Sequence, residues 1–231
     1  MTLGEDEPDG RGRTGLHLTG RDLVGNPRVR VLDVELLSSS WSVLRRTTLE
    51  IEAADGSRSR QQRETYDRGD GATILLYDAG RRTVLLTRQF RFPAYVNGHA
   101  DGVLLETAAG LLDDDDPETA IRREAAEETG LDVGAVEHVF DVYMSPGSVT
   151  ERLHFYAAPY TAPPASSAQG LADEGEDIEV VELDIEAALG RIGIDIVDAK
   201  TIMLLQWAAL RGPFAGAGAT TSGSAVAPTL G

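Results

Sequence analysis

Three glutamates, Glu124, Glu127 and Glu128, stand at i, i+3 and i+4, so a helix through them places all three carboxylates on one face. Helix punctuation brackets the segment. Asp116 suits the N-cap, Pro117 suits the first helical position, where its missing N–H costs nothing, and Gly130 is placed to close the helix in a left-handed turn. Ile121 and Ala125, four apart, supply a face for a core. Like charges at i,i+4 destabilise a helix by about 0.2–0.5 kcal/mol per pair, and an Arg123–Glu127 pair offsets only part of that. A hard divalent cation offsets far more, because Mg2+ takes carboxylate oxygens readily and keeps several waters. The competing reading is a solvated acidic face, which spacing alone slightly favours.

If the trio holds a cation, other residues acquire roles. A diphosphate needs cationic donors. Arg63 and Arg91 are candidates because a guanidinium grips phosphate with a planar fork, and Lys200 is a third. Hydrolysis needs a carboxylate to orient or deprotonate water. Glu151 follows the loop 144–150, and the acidic stretch 173–177 offers further carboxylates. His17, His99, His138 and His154 are scattered without ligand spacing and read as structural. Trp41 is either a core residue of a strand or a stacking surface for a base, with the core reading first.

These residues must be positioned by a scaffold, and the chain divides readily. Residues 1–27 lack periodicity and read as a disordered tail; residues 212–231 read as a disordered low-complexity tail. Between 28 and 66 the signal is β: a strand from Val29, a second from Trp41 to Ile51, and a turn at Asp55-Gly56 into a third. A sheet that small is marginal alone and should pack on the main domain or on a second subunit. The main domain, 67–211, opens with strands 71–77 and 83–91, then a short strand 104–107 and the acidic helix. Further strands are expected at 135–143, 152–158 and 178–183, then helices from Asp184 to Arg191 and from Asp198 to Leu210. Met203, Leu204, Trp207 and Leu210 form an apolar stripe on the last helix. Strands with helices on both faces give an α/β/α sandwich.

Composition narrows the partners. The formal net charge is −17, which argues against nucleic acid and means that a phosphate substrate must be drawn in by local cations. With no cysteines, thiol and disulfide chemistry drop out, and a reducing cytoplasm fits. No apolar run approaches the roughly 18–20 residues needed to cross a bilayer, so no membrane partner is expected. The N-terminus lacks the apolar core of a signal peptide.

The glycine-led loop and the run Arg-Glu-Ala-Ala-Glu-Glu-Thr-Gly-Leu, 123–131, resemble the metal-binding box of the Nudix hydrolases. One departure is visible: after the usual gap of five residues from Gly110 comes Asp116 where a Glu is usual, and the segment to Arg123 is one residue short. The likeness extends to 63–77, Arg88-Gln89-Phe90-Arg91, 143–147 and 176–179, which resemble the GDP-mannose pyrophosphatase subgroup, where the same shortening occurs.

That resemblance implies a Nudix α/β/α sandwich with a small N-terminal antiparallel sheet that joins two subunits in a homodimer and helps complete the partner's site. It implies Mg2+, with Mn2+ as a substitute, on the Ala109 carbonyl, Glu124, Glu128 and Glu176. Substrate contacts fall on Trp41, Gln62, Arg63, Glu64, Arg91, Ala109, Gly110, Leu111, Glu151 and Lys200, with Gln62 replacing a Lys and Trp41 a Tyr. The implied reaction is hydrolysis of a nucleotide sugar, GDP-mannose to GMP and mannose 1-phosphate, with Glu151 or Glu176 orienting water and Glu127 available for a further metal. ADP-ribose hydrolysis is the nearest alternative. A nucleotide-sugar-binding module without catalysis is the rival of another class, against which the complete glutamate set weighs.

Overall fold

The computed structural model describes residues 26–162, 168–169 and 177–216. Three antiparallel strands come first: β1 (Val29–Ser39), β2 (Val43–Glu52) and β3 (Arg58–Asp67), in the order β1-β2-β3. Their sheet is fastened to the following domain where β3 meets the loop before β9. The Tyr66 N–H donates to the Ser148 carbonyl (2.9 Å) and the Thr150 N–H donates to the Tyr66 carbonyl (3.1 Å). The second strand begins at Val43, so Trp41 lies in the connecting bend and is 63% exposed. The core reading of Trp41 is therefore wrong: a tight link between β1 and β2 ejects the ring from both faces.

The larger sheet contains β4 (Gly71–Asp78), β5 (Thr83–Phe90), β6 (Val103–Glu106), β7 (Ala108–Leu111), β8 (Glu137–Tyr143), β9 (Arg152–Pro159), β10 (Ala168–Gln169) and β11 (Ile178–Asp184). Its order is β10-β11-β5-β4-β9-β8, and only β4–β9 is parallel. The central pair splays. β4 pairs with β5 at Leu76–Asp78 but with β7 at Gly71–Ile74, while β5 turns to β6 along Thr87–Phe90. The wedge between them is filled by β6 and β7, which meet at Thr107. Buried threonines hold that junction: Thr73 Oγ1 lies 2.8 Å from Thr107 Oγ1, and the Thr107 N–H donates to Thr201 Oγ1 at 2.7 Å.

Alternation along β4 assigns the faces. Ala72, Ile74 and Leu76 face helix α2 (Pro117–Thr129) with its Ile121 and Ala125. Leu75, with Leu86 and Phe155, faces α3 (Ile185–Gly190) and α4 (Ala199–Leu210). The fold is thus an α/β/α sandwich with a small N-terminal sheet. Among the described residues no helix is long and apolar enough to cross a membrane.

Helix α2 follows its sequence signals closely. Asp116 is the N-cap, with its side chain accepting from the Glu118 and Thr119 N–H groups, Pro117 is the first helical residue, and Gly130 closes the helix at φ +70°. Helix α4 differs from expectation. Its buried face is Lys200, Thr201, Leu204, Leu205 and Ala208, whereas Leu210 is 76% exposed. The anchor of Thr201 on Thr107 and the small Ala208 rotate the helix away from the Met203–Leu210 stripe. The five-residue helix α1 (Phe92–Val96) and strand β7 have no clear sequence signal. Residues 212–216, read as the start of a tail, form turns, and Phe214 is buried edge-on against Tyr77. The remaining stretch to 231 and residues 1–25 of the N-terminal tail lie outside the described residues, as does Glu176.

Replacing Asp116 with Ala removes the N-cap acceptor and should lower stability by about 1 kcal/mol. Urea unfolding of both proteins checks this through the shift in midpoint at unchanged slope.

Candidate active site

α2 lies across β7 at very short range. A Cβ built on Gly110 would stand 2.0 Å from Cδ of Glu124, so the Glu124 carboxylate occupies space that only glycine leaves open. One turn on, Glu128 is almost fully buried and its Oε2 accepts from the Ala109 N–H at 3.3 Å. Two of the three glutamates are thereby pressed against Ala109–Gly110. Glu127 points to Arg123, whose Nη1 lies 3.2 Å from Glu127 and 2.9 Å from Glu124. Arg123 also reaches Asp115 (3.6 Å) and Asp113 (4.0 Å) on the preceding loop. The i,i+4 pair expected from sequence is part of this wider network.

The residues present fit a hard cation. Carboxylates and main-chain carbonyls are the oxygen donors that Mg2+ and Mn2+ prefer. The gap left by Gly110 sets one carboxylate directly over the β7 backbone.

Beside this cradle is a cleft of about 380 Å3 lined by Arg68, Arg91, Glu106, Ala109, Gly110, Leu111, Glu151, Asp198 and Lys200, among others. The structure therefore brings together Arg91, Ala109, Gly110, Leu111, Glu151 and Lys200, which sequence reading had as separate candidates. Glu106, Asp198 and Arg68 were missed. Glu106, 4% exposed at the end of β6, accepts from Arg91 Nε (2.6 Å) and Lys200 Nζ (2.7 Å). Burial pushes the Glu106 carboxyl up, but Lys200 and Arg91 outweigh it and hold the group below the usual carboxylate range. Asp198 adds a second contact to Lys200 at 3.0 Å and caps α4 through the Thr201 N–H. A Glu inside an otherwise apolar strand, Val-Leu-Leu-Glu, was the one available sequence signal for Glu106.

Glu151 enters the cleft beside Arg68, 3.7 Å away. Burial raises its carboxyl, with Asp70 adding to the rise, and Arg68 and Lys200 offset only part of it.

The N-terminal candidates do not join this cleft. Arg63 and Glu64 line a separate hollow of about 530 Å3 with Tyr143 and the loop 146–150. Glu64 pairs with Arg46 at 2.8 Å, and Gln62 Nε2 donates to Thr48 Oγ1 at 3.3 Å. Trp41 lines neither space. Of the histidines, His138 and His154 converge on Asp141 through hydrogen bonds, a meeting that their spacing in sequence does not signal.

Residues 67–212 match the family described as the NUDIX domain. The chain belongs to the Nudix hydrolases. Residues 28–66 match the family described as the GDP-mannose pyrophosphatase NudK N-terminal domain. Among similar Nudix relatives, the GDP-mannose pyrophosphatase of Pectobacterium atrosepticum is 53% identical over 188 residues, covering 81% of this chain and 97% of its own. That of Klebsiella pneumoniae is 48% identical over 189 residues, covering 81% and 95%. A solved structure described as an ADP compounds hydrolase superposes with a TM-score of 0.60 at 18% identity, covering 80% of this chain and 97% of that one, which shows the shared fold.

Two outcomes follow from the Nudix cradle and its cleft. Gly110→Ala must displace the Glu124 carboxylate, and a displacement near 1 Å is enough to lower kcat by about 10²-fold. Steady-state kinetics against Mg2+ concentration checks it. Glu106→Gln leaves Arg91 and Lys200 without their buried counter-charge and should destabilise the fold by about 3 kcal/mol at neutral pH. Because the folded pKa of Glu106 is depressed, its contribution is present above the unfolded value of about 4.3 and is lost as pH falls through the folded value. Unfolding midpoints of wild type and variant should therefore converge below that range.

Proposed function

We propose that this chain hydrolyses the diphosphate of a nucleotide sugar, with GDP-mannose as the preferred substrate and GMP and mannose 1-phosphate as products. The observation that carries the reading is the contact of Glu124 and Glu128 with Gly110 and Ala109, at the edge of a cleft holding Arg91, Lys200 and Glu151. The names of the similar relatives and the match over residues 28–66 support the choice of substrate.

In this reading the Ala109 carbonyl, Glu124, Glu128 and Glu176 hold Mg2+, with Mn2+ as a substitute and Glu127 available to a further ion. The bound cation supplies positive charge against the diphosphate and makes water more acidic. Arg91 and Lys200 bind phosphate oxygens, one as a fork and the other as a point charge. Glu106 keeps both aimed into the cleft. Glu151 orients water toward phosphorus and takes its proton; burial, by raising its pKa, makes it a stronger base for that step. The water oxygen bonds to phosphorus, the bridging P–O bond breaks, and the bridging oxygen leaves with the other phosphate.

A cytoplasmic homodimer is part of the same proposal. The N-terminal sheet presents Trp41, Gln62, Arg63 and Glu64 outside their own subunit's cleft, as expected of groups that serve a neighbour's. The cysteine-free composition suits a reducing compartment.

The test is a panel of GDP-mannose, ADP-ribose, GDP-glucose and NADH with Mg2+, with products identified by chromatography and phosphorus NMR. GDP-mannose should give the highest kcat/KM, and Glu128→Gln should lower turnover on it by orders of magnitude while keeping the far-UV spectrum. A faster rate on ADP-ribose replaces the substrate; binding of GDP-mannose without cleavage replaces the reaction; full turnover by Glu128→Gln removes the metal role.

A further inference from the structure

Away from the cleft, His138, Asp141 and His154 bring one ligand atom each to within 4.8 Å of one another. His138 and Asp141 lie on β8, and His154 lies directly opposite Asp141 on β9. In a regular strand residues 138 and 141 point to opposite faces. The register shift between His138 and Phe140 adds one residue to β8 and turns His138 onto the face that Asp141 and His154 share. Asp141 Oδ1 then lies 2.7 Å from His138 Nε2 and 2.8 Å from His154 Nδ1. Burial raises the Asp141 carboxyl, but the two imidazoles outweigh it and keep it below the ordinary range. The trio is separate from the glutamate cradle. His154 neighbours Ala72 and Ala72 neighbours Gly110, so two strand spacings, about 10 Å, intervene.

We propose that His138, Asp141 and His154 form a second cation site, selective for a transition metal of the Zn2+, Co2+ or Cu2+ class. Two imidazoles and one carboxylate suit such ions, whereas the all-oxygen cradle suits Mg2+. Three protein ligands leave a position for water, as in open zinc sites. His154, with its side chain 9% exposed, is the fixed ligand. His138 and Asp141 are open to solvent and give the ion its entry. The His138 ring packs edge-on against Tyr156, at 5.4 Å between centroids, which limits its rotation. Ligand atoms bound at about 2.0–2.1 Å stand roughly 3.4 Å apart in a tetrahedral site. Small side-chain rotations separate the hydrogen-bonded atoms to that distance. Occupancy ties the edge strand β8 to β9.

The test titrates the full-length chain with Co2+ in excess Mg2+, following visible absorption and the unfolding midpoint. Wild type should take up one equivalent with a ligand-field band and a higher midpoint, and Glu128→Gln should retain both. His138→Ala and Asp141→Asn should each weaken uptake by more than the about 10–100-fold that loss of an outer-shell partner costs. His138→Ala, at an exposed position, should melt like wild type without metal. No uptake by wild type at millimolar Co2+, or equal affinity in wild type and His138→Ala, overturns the site and leaves the trio a hydrogen-bonded clip.

Discussion

The approach of α2 to β7 is the constraint on which the site depends. At Gly110 the two elements are too close for even a methyl group, because the Glu124 carboxylate occupies that volume. The same closeness lets Glu128 reach the Ala109 N–H from a buried position. It is possible because the central strands diverge. β4 and β5 separate after a short pairing, and the wedge receives β7, whose Ala108-Ala109-Gly110 run is small enough to be covered by a helix. A sheet that stayed closed here would have no backbone beneath the acidic face.

Electrostatics on the other side of the cleft follow a similar logic. The chain is strongly acidic, yet its substrate class is anionic. Two cations, Arg91 and Lys200, are kept beside the cleft by one buried carboxylate that lies between them. Glu106 is acidic like most of the charged surface, but its role is to hold positive charge in place. Burial raises its pKa, and its two partners outweigh that and bring it below the ordinary carboxylate range. The Asp198 contact adds a second tether on Lys200 and links the cleft to the start of α4.

Local chemistry was legible in the sequence wherever it acts over a few residues. Asp116, Pro117 and Gly130 marked both ends of α2 because capping and left-handed closure depend on neighbours in the chain. The longer strands of the main sheet were legible from their own residues too, whereas the short β7 and β10 were not. What lay hidden is what tertiary contact decides. The face of α4 is set by Thr201 meeting Thr107, so periodicity alone misplaced it by about one residue's rotation. Glu106 looked like a polar interruption in an apolar strand until its partners, 15 and 94 positions away, were in place. The histidines had no ligand spacing because a single inserted residue in β8, invisible to any regular period, aligns them.

Arg123 gives the acidic helix a tethered counter-ion of its own. Its guanidinium lies within 4.0 Å of Asp113, Asp115, Glu124 and Glu127. One positive charge is thus shared among four carboxylates, so the acidic face and the loop before it are balanced in part from within the chain. The two aspartates among them lie in the β7–α2 loop, so the same guanidinium ties that loop to the first turns of the helix.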